Sequence, residues 1–358
     1  VTRMAEFITL VSLICGALFV VIDLGRPDRV LNVIRYGRWQ SPIIWDVLAI
    51  TTYITASTAY LFLPMIPDLA LFRDKLAGRV SGWRMWLYRA LSVRWRGTHS
   101  QWQSMGAAIT TAMILIIPIA VSVHTVVSWI FAMTLREPWN STIFGAFFVA
   151  GAIFSGVAML IVVMAILRKV YHLEEYITEK HFVYLGYLLA TFSLIMVYGN
   201  VSEYLTTGYK MSEGTEFHFR QLFLGQFAGF YWFYFLGGLI LPGLLILLPW
   251  TRNIWGVVTA SVLVVAAMWV ERYFIVVSGF RVPLMPYEPS TYAPTWVEIS
   301  VVAAGFALFA LLITLFVKIF PIIAVWEVAE DDPTTQPEPA APRFPHGTAP
   351  EPAGGAGR

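Results

Sequence analysis

Eight long apolar stretches are the feature that most limits how this chain of 358 residues can fold. Each is long enough for an α-helix to cross the hydrocarbon core of a bilayer, which takes roughly 20 residues. Alternating patterns of about ten residues, which are typical of outer-membrane barrels, do not occur in the sequence. The sequence predicts an all-α integral membrane protein with about eight transmembrane helices, at 4–22, 42–63, 106–131, 142–167, 182–205, 221–249, 254–277 and 297–318.

The composition excludes an ordinary soluble domain. Hydrophobic residues make up 58% of the chain and charged residues 13%, whereas soluble domains average about 25% charged residues. The single cysteine, Cys15, excludes a disulfide framework, a four-cysteine iron–sulfur cluster and a structural zinc site. We expect contact with the lipid bilayer and no nucleic acid partner.

Charge asymmetry between the loops predicts the orientation of the chain. Arginine and lysine concentrate in the loop at 64–105. The positive-inside rule then places this basic loop and both termini in the cytoplasm of a bacterial inner membrane. We divide the chain into a transmembrane domain at 1–328 and a Pro/Ala/Gly-rich tail at 329–358, predicted to be disordered and cytoplasmic.

Few ionisable side chains interrupt the apolar stretches, and each is a candidate functional residue because membrane insertion costs it about 2.5–3.5 kcal/mol. All of them fall in the predicted outer half of the membrane, at the same level as Asp23 and Arg26. A site that opens outward is therefore expected. The members of the set are Asp46, His124, Glu203, Glu271 and Arg272, with Asn200 and Gln226 as neutral additions.

Structural roles remain open for each of these residues. Asp46 could stabilise the dipole of its helix from the first turn, and His124 could be a hydrogen-bonded packing residue. Glu271 and Arg272 point about 100° apart on a helix, so we expect each to pair with another helix. Glu203, near a predicted helix end, could reach water. Hydroxyls around Tyr53 could conduct protons or simply pack between helices.

Several membrane chemistries are excluded. A bis-histidine haem needs two histidines at membrane depth, and only His124 qualifies. A retinal Schiff base needs a lysine in the middle of a span, where this chain has none. Nucleotide-binding, zinc-protease and serine-hydrolase motifs are missing from the sequence. We therefore expect this chain to bind no haem, metal or iron–sulfur cluster of its own.

Five motifs in a fixed order resemble one family. They are DLGRP at 23–27, SPIIWD at 41–46, VHTVVSWIFA at 123–132, FVAGAIFSG at 148–156 and ERY at 271–273. The chain resembles the NrfD/PsrC family, the quinone-interacting membrane subunits of bacterial respiratory complexes. The likeness covers the chain to about Val328 and is greatest to the ActC-type subunit of alternative complex III.

The resemblance implies two four-helix bundles and a quinol pocket near the outer face, below an extrinsic iron–sulfur protein. Asp46 matches an acidic residue of that pocket, and His124 matches the family histidine. Asp23 stands where ActC-type members usually have histidine, and Ile130 stands where an acidic residue is often found. Family members begin with a helix before the first span, so we expect that helix to be absent here or lost through a misassigned start.

We interpret the chain as a subunit that oxidises a menaquinol-type quinol. A buried carboxylate can accept a proton near neutral pH, so Asp46 is the expected main catalytic acceptor and His124 the second. The resemblance implies as partners a periplasmic iron–sulfur subunit, a second NrfD-like subunit and a multihaem cytochrome c. The predicted quinone-binding residues are Asp46, His124, Asp23, Arg26 and Trp45. The candidates for proton transfer are Glu203, Glu271, Arg272 and Tyr53.

Three other functions stay open. The chain could be the quinone-reactive anchor of a molybdopterin oxidoreductase of the polysulfide reductase type. It could be a transporter in which Glu203, Glu271 and Arg272 bind a small solute or ion, although transporter sites usually lie near the membrane midplane. It could also be a structural anchor with a degenerate pocket. Bound quinone would distinguish the redox functions from the last two.

Overall fold

The computed structural model describes residues 2–285, 292–321 and 323–326. All regular secondary structure in these ranges is helical, and eight of the helical segments are long and apolar enough to cross a membrane. The predicted all-α, multi-pass membrane architecture is thus confirmed. The expected disordered tail lies outside the described residues.

Thirteen α-helices in the described ranges are numbered here in chain order. They are α1 Thr2–Asp23, α2 Asn32–Tyr36, α3 Pro42–Phe62, α4 Ile66–Lys75, α5 Gly82–Leu91, α6 His99–Ala132, α7 Phe144–Val170, α8 Glu179–Lys210, α9 Glu213–Phe219, α10 Ala228–Trp232, α11 Leu241–Leu247, α12 Ile254–Arg281 and α13 Trp296–Ile319. The chain divides into two compact units, Val1–Thr58 with Ile116–Lys318 and Ala59–Leu115 with Ile319–Arg358.

The core of the first unit is a bundle of α7, α8, α11 and α12, together with the π-helix Phe233–Ile240. Small residues let these helices approach closely: a Cβ at Gly238 would collide with that of Ala267. This is the second of the two bundles implied by the resemblance, and we call it the second bundle. Outside it, α1 packs mainly against α7, and α13 has no buried residue.

The sixth predicted span, at 221–249, is interrupted in the structure. A π-helix covers Arg220–Leu224, the chain turns at Gly225, and a second π-helix follows α10. Pro242 lies in the first turn of α11, directly after this second π-helix. Proline lacks an N–H and clashes with the carbonyl four residues earlier, so the wider π turns accommodate it. The predicted sixth span is therefore confirmed as a membrane-spanning helical segment at Ala228–Leu247, but it begins seven residues later than predicted.

The second unit shows that the predicted basic loop at 64–105 is folded. It contains α4, α5 and the first turns of α6. Asp68 is fully buried on α4 and accepts hydrogen bonds from the backbone N–H groups of Val325 and Trp326, at 3.2 and 3.1 Å. The Tyr88 hydroxyl donates to the carbonyl of Ile319 at 2.8 Å. These bonds tie the segment that follows α13 to the same unit.

Candidate functional site

Asp46 lies in the second turn of α3 and is buried, with 8% of its surface exposed. Its Oδ1 atom has no hydrogen-bond partner. Beside it in sequence, the Trp45 indole donates to the carbonyl of Trp39 at 2.7 Å. Tyr53, seven residues further along α3, is buried on the same helix face. A buried carboxyl oxygen without a partner can receive a proton or a hydrogen bond from a ligand.

His124 lies on α6, is half-buried, and interacts electrostatically with Arg272 of α12. The Arg272 guanidinium lies 3.7 Å from the ring centroid of Phe148 on α7. A glycine at 151 makes room for this arrangement, since a Cβ there would lie 2.9 Å from Nη2 of Arg272. Arg272 of α12 thus packs against α7, which the sequence motifs alone could not establish.

Glu271 and Arg272 pair with each other. The Arg272 Nε atom lies 3.3 Å from Oε2 of Glu271, which is 1% exposed. Neither carboxylate oxygen of Glu271 has a hydrogen bond of normal geometry. The expectation that each would pair with another helix was wrong, because the flexible arginine side chain spans the 100° between neighbouring helix positions.

Two tyrosines of the second bundle interact electrostatically with the buried Glu271. Tyr204 interacts electrostatically with Glu203 and Glu271, and Tyr234 interacts with Glu271 and Arg272. Asn200 donates to the Tyr234 hydroxyl at 2.8 Å. The polar side chains of α8, the split sixth span and α12 therefore converge inside an apolar bundle.

A polar cavity of about 470 Å³ lies where α6 connects to α7 and α8 connects to α9; we call it the large cavity. Its lining includes Glu137, Ser141, Glu203, Thr207, Lys210 and His218. A second cavity of about 70 Å³, the small cavity, shares Glu203, Thr207 and His218 with it and adds Asn200 and Tyr204. The two cavities lead from the end of the second bundle toward its buried polar groups.

Glu203 is held in place by two hydroxyl groups. Ser141 donates to its Oε2 at 2.6 Å and Thr207 to its Oε1 at 3.2 Å. In the structure α8 continues to Lys210 instead of ending at 205, so Glu203 is almost two turns inside the helix. Its carboxylate is part of the wall of both cavities.

His218 lies on the short helix α9, which Ser212 caps by accepting from the N–H of Thr215. Its side chain is 4% exposed, and Nδ1 has no hydrogen-bond partner. Burial lowers the pKa of His218 from 6.5 to about 4, so the imidazole is neutral at physiological pH. It presents one donor and one acceptor nitrogen beside the two cavities.

The remaining sequence candidates lie apart from these groups. Asp23 and Arg26 are exposed, and the Arg26 guanidinium binds Asp28 at 3.0 and 3.1 Å. No hydrogen bond or ion pair in the described ranges joins Asp23 or Arg26 to Asp46 or His124. Nor do three histidine, cysteine, aspartate or glutamate side chains converge there as metal ligands would. Asp46 and His124 themselves share no such contact.

Sequence reasoning missed His218, Tyr204 and the cavities. The polarity of the segment EGTEFHF at 213–219 predicts an outer loop, although Ser212 followed by Thr215 and Glu216 is a pattern typical of a helix N-terminus. Tyr204 is one of many aromatic residues in the spans. Only its packing against the rings of Phe219, Phe223 and Tyr231 distinguishes it.

Acidification is expected to destabilise the fold through His218. Between pH 6.5 and about 4 the unfolded chain binds a proton that the folded chain excludes. The free energy of unfolding therefore decreases as the pH is lowered through that window, by about 2 kcal/mol at pH 5. Unfolding midpoints of the detergent-solubilised protein at pH 7.5 and pH 5 measure this loss. His218→Gln should show a smaller loss, and His99→Gln, at an exposed position, should behave as wild type. An equal loss in the wild type and His218→Gln would contradict the assignment.

Comparison with known proteins identifies similar sequences over most of the chain. The family described as polysulphide reductase, NrfD matches residues 1–283. A protein of Halobacterium salinarum, named as a membrane subunit of dimethyl sulfoxide reductase, is 26% identical over 89% of this chain and 74% of its own length. A selenate reductase subunit of Mesobacillus selenatarsenatis is 24% identical, over 89% and 77%.

A third relative carries a quinol in its name. The Hdr-like menaquinol oxidoreductase integral membrane subunit of Archaeoglobus fulgidus is 22% identical, over 92% of this chain and 78% of its own length. All three relatives are therefore named as subunits of oxidoreductases.

Proposed function

Because the chain belongs to the NrfD family, we propose that it is the quinol-oxidising membrane subunit of a multi-subunit oxidoreductase. The observation that most supports this function is the buried Oδ1 atom of Asp46, which has no hydrogen-bond partner. Such an atom is costly to bury unless a ligand or a proton satisfies it. A quinol hydroxyl supplies both.

The reaction needs proton acceptors in the membrane and an electron acceptor outside this chain. Oxidation of a quinol to the quinone releases two electrons and two protons. Asp46 accepts one proton from a quinol hydroxyl, and His124 accepts the other. The electrons pass directly to an iron–sulfur cluster in a partner subunit.

The relative named as a menaquinol oxidoreductase supports menaquinol as the substrate. On this proposal the chain functions in a bacterial inner membrane with its termini and its basic second unit in the cytoplasm. Its partners are a periplasmic iron–sulfur subunit, a second NrfD-like subunit and a multihaem cytochrome c, as in alternative complex III.

A second candidate function shares the same chemistry. Two relatives are named as subunits of dimethyl sulfoxide reductase and selenate reductase. A quinol-oxidising anchor could equally deliver electrons to a molybdopterin reductase of this kind. The site in this chain would be unchanged, and only the soluble electron acceptor would differ.

Solvent extraction of the gently purified complex tests the function. We expect stoichiometric quinone, together with iron from co-purifying iron–sulfur subunits. Haem in the same preparation would support alternative complex III, and molybdenum would support a reductase anchor. A chain that purifies alone, with neither quinone nor iron, would contradict the proposal and favour a transporter or a structural anchor.

A further inference from the structure

Helix α5 of the second unit has side chains with apolar surface on two opposite faces, and one of these faces is uncovered. Met85 and Tyr88 lie on the covered face and are buried. The opposite face presents Trp83 and Trp86, which are 56% and 69% exposed. Ala90 is exposed on that face too, because residues three and four positions apart lie on the same side of a helix. Exposed aromatic surface of this kind marks a place that a bilayer or another molecule covers.

The contacts of α5 place it where a membrane-spanning helix ends. The Tyr88 hydroxyl donates to the carbonyl of Ile319 at 2.8 Å, and Ile319 is the last residue of α13, which is long and apolar enough to cross a membrane. Six residues connect α5 to α4 and seven connect it to α6. Both of these neighbours belong to candidate spans. These connections hold α5 at the level of the membrane interface.

The surroundings of the two tryptophans are strongly basic. No aspartate or glutamate occurs between Lys75 and Arg136 in the sequence. Arg84 lies over the ring of Trp83, at 5.5 Å from its centroid. In the part of the chain that the structure describes, no ion pair involves any arginine of the segment 79–96, all but one of them exposed. These arginines are Arg79, Arg84, Arg89, Arg94 and Arg96.

The interface of an anionic bilayer matches both properties of this surface. Tryptophan rings prefer the layer between the lipid headgroups and the hydrocarbon, and guanidinium groups bind phosphate through two parallel hydrogen bonds. A helix with an aromatic face beside basic residues lies in the plane of the membrane, with its apolar side about 5–10 Å into the headgroup boundary. An acidic soluble protein would match the charge, but the attachment of α5 at the ends of spans favours the bilayer.

We propose that the face of α5 formed by Trp83, Trp86 and Ala90, together with the arginines around it, is an interfacial surface that binds anionic phospholipids. The tryptophan rings enter the leaflet next to the second unit, and the guanidinium groups bind the headgroup phosphates of that leaflet. This surface is separate from the candidate quinone site and independent of quinol chemistry. It fixes the depth at which α4, α5 and the first turns of α6 meet the bilayer.

Lipid selectivity tests the role of the arginines. The purified chain is reconstituted in phosphatidylcholine vesicles that contain spin-labelled phosphatidylglycerol or spin-labelled phosphatidylcholine. Electron paramagnetic resonance then measures the fraction of each labelled lipid that the protein immobilises. We expect a preference for phosphatidylglycerol of at least about threefold. High salt should lower this preference, because it screens the attraction between guanidinium groups and headgroups.

Two charge-matched variants locate the lipid-binding surface. Arg89→Gln/Arg94→Gln removes two exposed guanidinium groups beside the tryptophans and should lower the preference at least about twofold. The control Arg35→Gln/Arg38→Gln removes the same charge from two exposed arginines that precede α3, whereas the second unit follows that helix. The control should keep the wild-type preference.

The depth of Ala90 tests the position of the aromatic face by a second measurement. Cys15 is the chain's single cysteine, so a Cys15→Ser background carries one nitroxide label at a time. A label at Ala90→Cys should be more accessible to oxygen, which concentrates in the bilayer, than to a water-soluble nickel chelate. The control Glu175→Cys, exposed in the loop between α7 and α8, should show the reverse.

Equal immobilisation of the two lipids by the wild-type chain would overturn the proposal, as would an unchanged preference in Arg89→Gln/Arg94→Gln. A label at Ala90→Cys that is as accessible to the nickel chelate as the label at Glu175→Cys would also overturn it. The aromatic face would then be open to water, and an acidic soluble protein would be the better candidate for its partner.

Discussion

Quinol oxidation is expected to be abolished by Asp46→Asn, with assembly of the complex unchanged. Asparagine has nearly the same shape as aspartate, but its amide cannot take up a proton. Asp46 is buried on α3, and its Oδ1 atom is free of protein partners. Removing a positioned proton acceptor costs a factor of about 10² to 10⁴ in rate. Quinol-dependent reduction of an artificial electron acceptor by the purified complex measures this loss.

The matched control is Asp28→Asn. Asp28 is exposed, binds Arg26, and the Arg26 guanidinium lowers the pKa of its carboxyl group. Turnover should be unchanged in this variant, while Asp46→Glu should retain part of it. Wild-type turnover in Asp46→Asn would remove Asp46 from the mechanism, and loss of the partner subunits would assign it a structural role.

Stability should fall by about 3–5 kcal/mol in Arg272→Leu, the largest destabilisation that we expect from one substitution in the second bundle. Glu271 is 1% exposed, and its carboxylate oxygens have no hydrogen bond. The Arg272 guanidinium, 3.3 Å away, is its only ion-pair partner among the described residues. Without it the buried carboxylate would lose its ion-pair partner and keep no hydrogen bond.

The double variant Glu271→Leu/Arg272→Leu separates pairing from packing. It removes both charges, so it should recover most of the stability that Arg272→Leu loses. Unfolding in mixed SDS and detergent micelles, followed by tryptophan fluorescence, measures all three proteins. If the single and double variants unfold at the same point, the loss comes from the packing of Arg272 on Phe148, and the ion pair contributes nothing.

The spans were predictable because their signal is local. A helix that spans a bilayer must have a minimum length and an apolar composition. Both properties can be read from the sequence without knowledge of any tertiary contact. Seven of the eight spans therefore appear as single helices near their predicted ends. The sixth begins only at Ala228 and contains π turns, because the conformation before Pro242 depends on how that segment packs against α12.

Polar candidates show the limit of this reasoning. The cost of placing an ionisable side chain in a membrane is enough to identify the unusual residues of this chain. They are Asp46, His124, Glu203, Glu271 and Arg272. Which of them meet does not follow, since helix periodicity gives the face of a residue but not its neighbour. The pairing of Glu271 with Arg272 and the contact of Arg272 with Phe148 depend on how α7 and α12 pack.

His218 is the clearest case of a property that only the tertiary structure decided. Its sequence context, shortly after the end of α8, predicts a polar loop, yet packing buries it and makes it neutral. The sequence by itself determined the membrane architecture, the family motifs and the set of costly polar residues, because those depend on composition and order along the chain. The cavities and the contacts between α6, α8 and α12 depend on helices far apart in sequence, and only the packed bundle brings them together.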